Sequence, residues 1–204
     1  MGEDQERQWA LASLRGDQEA FAKLVEAYQG PVYNLAYRML GNEEEAQDAT
    51  QEVFLRAFTR LNTYDTTRKF SSWILSVASH YCVDRLRRRR PSASMEEMQG
   101  SRWIPDHEPR PEEQALRNQR DHTIRELLSE LPPQYRLVIV LRYWQDMSYE
   151  EIAEATQSTT SAVKSRLHRA RQEMAKKIQA VQDAEEAITH PHWRESENAL
   201  SRCV

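Results

Sequence analysis

Between Asn62 and Trp73 the chain reads N-T-Y-D-T-T-R-K-F-S-S-W, so Tyr64, Phe70 and Trp73 are interleaved with Arg68 and Lys69. Aromatic rings stack on unpaired bases for about 1–3 kcal/mol each while cations follow the phosphates, a combination that suits a single-strand binder. The competing reading has Phe70 and Trp73 simply closing the loop against a core. A second group lies on Asp48, Gln51, Glu52 and Leu55. Advancing about 100° per residue puts these four within about 60° of Asp48, opposite Val53, Phe54, Ala57 and Leu61. The result is a compact acidic patch with one large apolar residue. It reads as a solvated helix face, as a carboxylate metal site, or as a docking face for a basic partner. The metal reading is weakened because no His in the chain has Glu three residues before it, so the Glu-x-x-His pattern of helical di-metal sites is absent.

A third group occupies residues 148–171. Ile152 and Ala153 mark a short helix, Thr156-Gln157-Ser158 supplies a turn, and Val163, Leu167, Ala170 and Met174 form the buried stripe of a second helix. Opposite that stripe stand Ser161, Ser165, His168 and Gln172, flanked by Lys164, Arg169 and Arg171. Donors and cations facing away from a core stripe suit major-groove reading, where Lys and Arg address guanine edges and phosphates. An amphipathic bundle helix is the bland alternative, and the turn lacks the Gly often found there. Nothing in the chain suggests catalysis. There is no GxGxxG, no GxxxxGK[ST], no CxxC and no Ser/His/Asp constellation, so neither a cofactor nor a metal site is expected. His190, His192 and Cys203 are scattered tail residues.

The elements that must position these groups are helices. No Gly or Pro falls between Asn42 and Arg90 or between Gln134 and His190, whereas sheet proteins need turn punctuation about every 8–12 residues. An all-α fold is therefore expected. Asp17 caps a helix carrying Phe21, Leu24, Val25 and Tyr28; Gly30-Pro31 should break it and start a new helix that ends at Gly41. Further helices are predicted over about 43–61, 71–89, 118–130, 134–144, 148–155 and 160–178. The formal net charge of −4 hides strong blocks. Glu43 to Glu52 is acidic, Arg85 to Arg90 carries five arginines, and Thr160 to Lys177 is basic. The 92–115 stretch, acidic with Pro105, Pro109 and Pro111, reads as a flexible linker. This divides the chain into a helical module at 10–90, a linker at 91–117, a second module at 118–180 and a polar tail at 181–204. The longest aliphatic run, Leu137 to Leu141, is far short of the roughly 20 residues a membrane span requires. With Cys82 read as a buried thiol and no apolar leader over Met1 to Ala10, a cytoplasmic protein is expected.

Taken in order, three motifs resemble the group IV, or extracytoplasmic-function (ECF), σ factors of the σ70 family of bacterial RNA polymerase. They are Gly16 to Phe21 with Asp48 to Phe58 (D-A-T-Q-E-V-F-L-R-A-F), Phe70 to Arg87, and Leu131 to Arg142 leading into Ser148 to Ala153 and Val163 to Arg171. The resemblance covers about residues 10–180. It implies an all-α initiation factor with two small domains, a region 2 helical bundle and a region 4 helix-turn-helix, and no enzymatic activity of its own. Asp48, Gln51, Glu52 and Leu55 would dock on the β′ clamp helices of core RNA polymerase, and the second module would meet the β flap. Tyr64, Arg68, Lys69, Phe70, Trp73, His80, Arg85, Arg87 and Arg88 would recognise and open the promoter −10 element. Thr160, Ser161, Lys164, Ser165, Arg166, His168, Arg169 and Arg171 would read the −35 element. The linker would thread toward the polymerase active-site cleft, and an anti-σ factor is implied as a further partner. His80 stands where many relatives carry Asn. The other expectation is a stand-alone helix-turn-helix regulator with a helical sensing or dimerisation domain, which would leave the Tyr64–Trp73 segment and the acidic helix idle.

Overall fold

The computed structural model describes residues 3–88 and 123–189, and every regular element among them is helical. The predicted linker and the end of the tail, with His190, His192 and Cys203, lie outside the described residues. Helix α1 spans Glu3–Leu14, α2 Gln18–Leu40, α3 Glu43–Thr59 and α4 Phe70–Arg88, with a 3-10 turn at Leu61–Thr63 between α3 and α4. A further helix, α5, occupies 123–129. It is followed by α6 at Pro133–Tyr143, α7 at Tyr149–Ala155 and α8 at Thr160–Thr189.

Helix starts and stops follow their caps. Asp17 accepts a hydrogen bond from the Ala20 N–H at 3.0 Å, Asn42 accepts from Glu45 at 3.0 Å, and Gly41 ends α2 in the left-handed conformation (φ 79°). The expected break at Gly30-Pro31 does not occur: α2 runs through it as one helix. Pro31 removes only the donor for the Ala27 carbonyl, while Tyr28, Val32, Leu35, Ala36 and Met39 continue one buried stripe across the site. Packing along that stripe outweighs the lost bond. Helix α1 begins ahead of the expected start near residue 10, and its Ala10 is fully buried. Helix α8 runs past the expected end near 178, in keeping with the lack of Gly or Pro before Pro191.

One connected set of buried side chains links α1–α4 to α6–α8. Helix α6 occupies the junction because Leu137, Val138, Ile139, Val140 and Leu141 are all buried, and a helix apolar all round must be covered on every side. It packs on α2 and α4 at one side and on α7 and α8 at the other. Beside this run Arg136, 7% exposed, donates through Nη1 to the Met39 carbonyl at the end of α2. Its Nη2 donates to the Ser129 carbonyl and, at 3.4 Å, to that of Leu131. The guanidinium thus gathers carbonyls from the ends of α2 and α5, where the helix dipole favours a cation.

Candidate nucleic-acid and partner interfaces

The outer face of α3 carries the predicted patch. Asp48, Gln51 and Leu55 are exposed, Leu55 by 60%, whereas Val53, Phe54, Ala57 and Leu61 are buried on the opposite side. Glu52 is half-buried and pairs with Arg56 at 2.7 Å, and the Arg56 guanidinium lies 4.8 Å over the Tyr81 ring. Its charge is therefore partly spent within the module. Phe58, absent from the sequence-derived set, is 50% exposed and meets Phe21 edge-on at 5.0 Å. It lies one turn beyond Leu55, so extending the same helical projection by three residues finds it.

The aromatic–basic segment divides into buried and open parts. Phe70 is 1% and Tyr64 6% exposed. Their rings stand 5.4 Å apart, Phe70 lies 5.4 Å from Tyr28, and the Tyr64 hydroxyl donates to the Arg68 carbonyl at 2.6 Å. As placed, both are core residues and neither offers a free face for a base, a correction to the stacking role expected of them. Trp73, 5.5 Å from each, is half-buried and borders a cavity of about 180 Å3 with Arg68, Ser76 and Glu154. The turn before α4 is held by Asp65, whose Oδ1 accepts from the backbone N–H and the hydroxyl of Thr67. Those two bonds, with Arg68 beside them, hold the Asp65 carboxyl below its ordinary value.

Along α4 the basic residues face different neighbours. His80 is exposed, with Nδ1 2.8 Å from the Ser76 carbonyl. Arg85 donates to the Tyr81 hydroxyl at 3.1 Å and pairs with Glu45 at 3.5 Å, so it is turned toward α3. Arg87 and Arg88 are exposed in the last turn.

The helix-turn-helix is built by α7 and α8. Ser148 caps α7 in a full capping box: its hydroxyl accepts from the Glu151 N–H at 3.1 Å, and the Glu151 carboxylate accepts from the Ser148 N–H at 2.8 Å. Gln157 takes the left-handed conformation (φ 50°), supplying the bend without glycine. In α8, Val163, Leu167 and Ala170 are buried, and Ser161, Lys164, Ser165, His168, Arg169 and Arg171 are exposed. Thr160 is half-buried. Arg166 departs from the predicted face: it lines a cavity of about 280 Å3 with His80, Asp84 and Arg87, between the two helical groups.

Those groups meet along a polar seam. Arg68 pairs with Glu154, and Lys69 Nζ lies 3.7 Å from Glu151 Oε1. The Ser76 hydroxyl donates to the Ala155 carbonyl at 3.1 Å. Gln145 donates to the Pro31 carbonyl at 3.0 Å, Arg125 donates to the Tyr37 hydroxyl, and Arg38 lies 4.5 Å over the Trp144 ring. The seam was not foreseen from the sequence. Among the described residues, no group of three or more His, Cys, Asp or Glu could hold a metal ion, and no helix is long and apolar enough to cross a membrane.

Comparison with known proteins matches residues 24–91 to the σ70 region 2 family and residues 121–174 to the σ70 region 4 family. The chain is 36% identical over 171 residues to the ECF RNA polymerase σ factor SigW of Bacillus subtilis, covering 80% of this chain and 91% of that protein. It is 32% identical over 185 residues to the RNA polymerase σ-H factor of Pseudomonas aeruginosa, covering 87% and 95%. Among solved structures it is similar to CnrH in complex with the cytosolic domain of CnrY, with a TM-score of 0.65 at 26% identity, covering 87% of this chain and 99% of that one. The fold is also that of the σ factor RpoE of Bartonella quintana, solved with the anti-σ factor NepR, with a TM-score of 0.58 at 16% identity, covering 78% and 96%.

Proposed function

The chain belongs to the ECF σ factors of the σ70 family, which bind core RNA polymerase and promoter DNA to start transcription, and on that premise we propose how its charged surfaces divide the work. The outer face of α3 docks on the β′ clamp helices. The observation that carries this assignment is Leu55, a large apolar side chain left 60% exposed amid carboxylates. Singly exposed apolar residues are common, but Leu55 and Phe58, the latter 50% exposed one turn on, make an apolar strip beside carboxylates, which a basic groove with an apolar floor complements. Asp48, Gln51 and Leu55 make the direct contacts and Phe58 widens the apolar part. Glu52, held by Arg56, shapes the face.

Opening of the −10 element falls to the start of α4. Arg68 and Lys69 follow the phosphates and Trp73 supplies the stacking surface, while Tyr64 and Phe70 act as positioning residues that fix the turn from within the core. His80, Arg87 and Arg88 extend this surface along the helix, with Arg85 tied back to α3. The exposed face of α8 reads the −35 element, Ser161, Ser165 and His168 toward base edges and Lys164, Arg169 and Arg171 toward phosphates and guanines. Arg166 joins that set only when the two groups separate. Catalysis rests with the polymerase, and an anti-σ factor is the proposed antagonist. The stand-alone regulator is not favoured, since both σ70 regions are matched and the α3 face would have no task.

The decisive experiment is a core-binding titration of full-length chain carrying Asp48→Lys and Leu55→Ala. Affinity for core polymerase should fall by about ten- to a hundredfold, given hot-spot losses of roughly 1–3 kcal/mol. Binding of the same chain to −35 duplex should change by less than about twofold. Unchanged core affinity would remove α3 from the docking surface.

A further inference from the structure

The flank of α3 turned toward α4 carries charges of its own. In helical projection Glu52, Glu45 and Arg56 fall about 40°, 60° and 80° to one side of Asp48, and all three are half-buried. Two cations sit among these carboxylates, and one side chain of α4 holds both. The Arg56 guanidinium stands 4.8 Å over the Tyr81 ring while its Nε donates to Glu52 at 2.7 Å. At the other end of the ring, Arg85 Nη1 donates to the Tyr81 hydroxyl at 3.1 Å, and Arg85 Nε lies 3.5 Å from Glu45. The half-buried ring is thus braced at its hydroxyl by a residue that is itself tied to α3, and it turns its face to Arg56.

A guanidinium over an aromatic face is attracted by the ring quadrupole and stacks on it through its plane. Without the ring, Arg56 would keep only its pair with Glu52, an i,i+4 contact between side chains 41% and 37% exposed, which holds an arginine loosely. Once loose, it can swing over Leu55, its neighbour in the chain, and set a cation against a basic partner. We propose that Tyr81 is a positioning residue for polymerase docking: its ring keeps Arg56 back against α4, so that the outer face of α3 stays acidic and apolar. The inference rests on the assignment of that face to the β′ clamp helices. Tyr81 acts through Arg56, which gives this α4 residue a task separate from the −10 surface of the same helix.

The test is a cycle of core-polymerase titrations with the full-length chain. Tyr81→Leu should weaken core affinity by about two- to fivefold, the range of an exposed cation–π contact. Tyr81→Phe keeps the ring and should bind core as the wild type does. In an Arg56→Gln background, where no cation is left to hold, Tyr81→Leu should have no further effect. Wild-type affinity in Tyr81→Leu overturns the proposal. So does a loss of equal size in the Arg56→Gln background, which marks lost packing between α3 and α4, or an equal loss in Tyr81→Phe. Replacing Tyr81 with pentafluorophenylalanine keeps the ring's shape and reverses its quadrupole, so the test stands even if Tyr81→Leu fails to fold. That chain should bind core more weakly than Tyr81→Phe, and equal binding overturns the proposal. Asp48→Lys tests the docking assignment separately. Unchanged affinity there removes α3 from the interface, whereas a loss there with none in Tyr81→Leu removes Tyr81 alone.

Discussion

Arg136 offers the sharpest test of how the two helical groups are joined. Replacing it with Met keeps most of the stem's volume and removes a guanidinium whose Nη atoms donate to the carbonyls of Met39, Ser129 and Leu131. Hydrogen bonds from a charged donor are worth about 1.5–3 kcal/mol each, and the 3.4 Å contact to Leu131 counts for little, so two good bonds give about 3–6 kcal/mol. Removing a buried charge returns part of this, because the desolvation of the guanidinium no longer has to be met. A net loss of about 3 kcal/mol follows. For a chain of this size that is a fall of roughly 6–12 °C in melting midpoint, read by far-ultraviolet circular dichroism. Since Met39 belongs to the first group and Ser129 and Leu131 to the second, the transition should also broaden. Arg136→Lys, which offers a point charge in place of a fork, should recover less than half of the loss. A midpoint for Arg136→Met within about 2 °C of wild type would refute the reasoning.

Four further outcomes follow from local geometry. Ser148→Ala removes the cap of a seven-residue helix and should cost about 1 kcal/mol in chemical denaturation. The same cap sets a pH dependence: the Ser148 N–H, with Lys69 nearby, holds the Glu151 carboxyl below its ordinary value of 4.5. That stabilisation is complete above the ordinary value and is lost as pH falls through the depressed one, so an acid titration should show it below about pH 4.5, and Glu151→Gln, which removes the titrating carboxyl, should abolish it. Burial pushes the Cys82 thiol up to about 12, so in a Cys203→Ser chain a thiol reagent should react only at the rate of unfolding. Lys164→Ala should weaken −35 duplex binding on all sequences alike and lower the salt slope by about 0.9, the signature of one lost phosphate contact.

Local physics made much of this molecule legible. The outward set on α3 was readable because a single helical projection separates Asp48 and Leu55 from Val53 and Ala57. The caps at Asp17 and Gly41 were readable because each satisfies orphan backbone groups within a few residues. The same local logic misjudged Pro31, where a stripe of tertiary contacts on both sides kept α2 continuous. It also could not decide between two uses of one aromatic segment. Tyr64 and Phe70 are core residues because Tyr28, thirty-six residues before Tyr64, stands ready to pack with Phe70, and spacing within the segment carries no trace of that. The Leu137–Leu141 run held an unread clue: five consecutive apolar residues in one helix demand cover on all sides, hence a second body of structure against α6. The pairing of Arg68 with Glu154 joins residues far apart in the chain and needed the fold itself.

Pro31 also bears on motion. The residues from Pro31 to Leu40 make a rod about 15 Å long, attached to the rest of α2 where one helical hydrogen bond is missing. Four of the ties to the second group are anchored on this rod, at Pro31, Tyr37, Arg38 and Met39. A change in bend of about 10° at its base would sweep its far end through roughly 2.6 Å. The second group would then travel with the rod as cargo on a lever, pulling first on the ties anchored elsewhere, those from Arg68, Lys69 and Ser76 to α7. A bend at the missing bond in α2 would thereby load the ties from Arg68, Lys69 and Ser76 before those anchored on the rod.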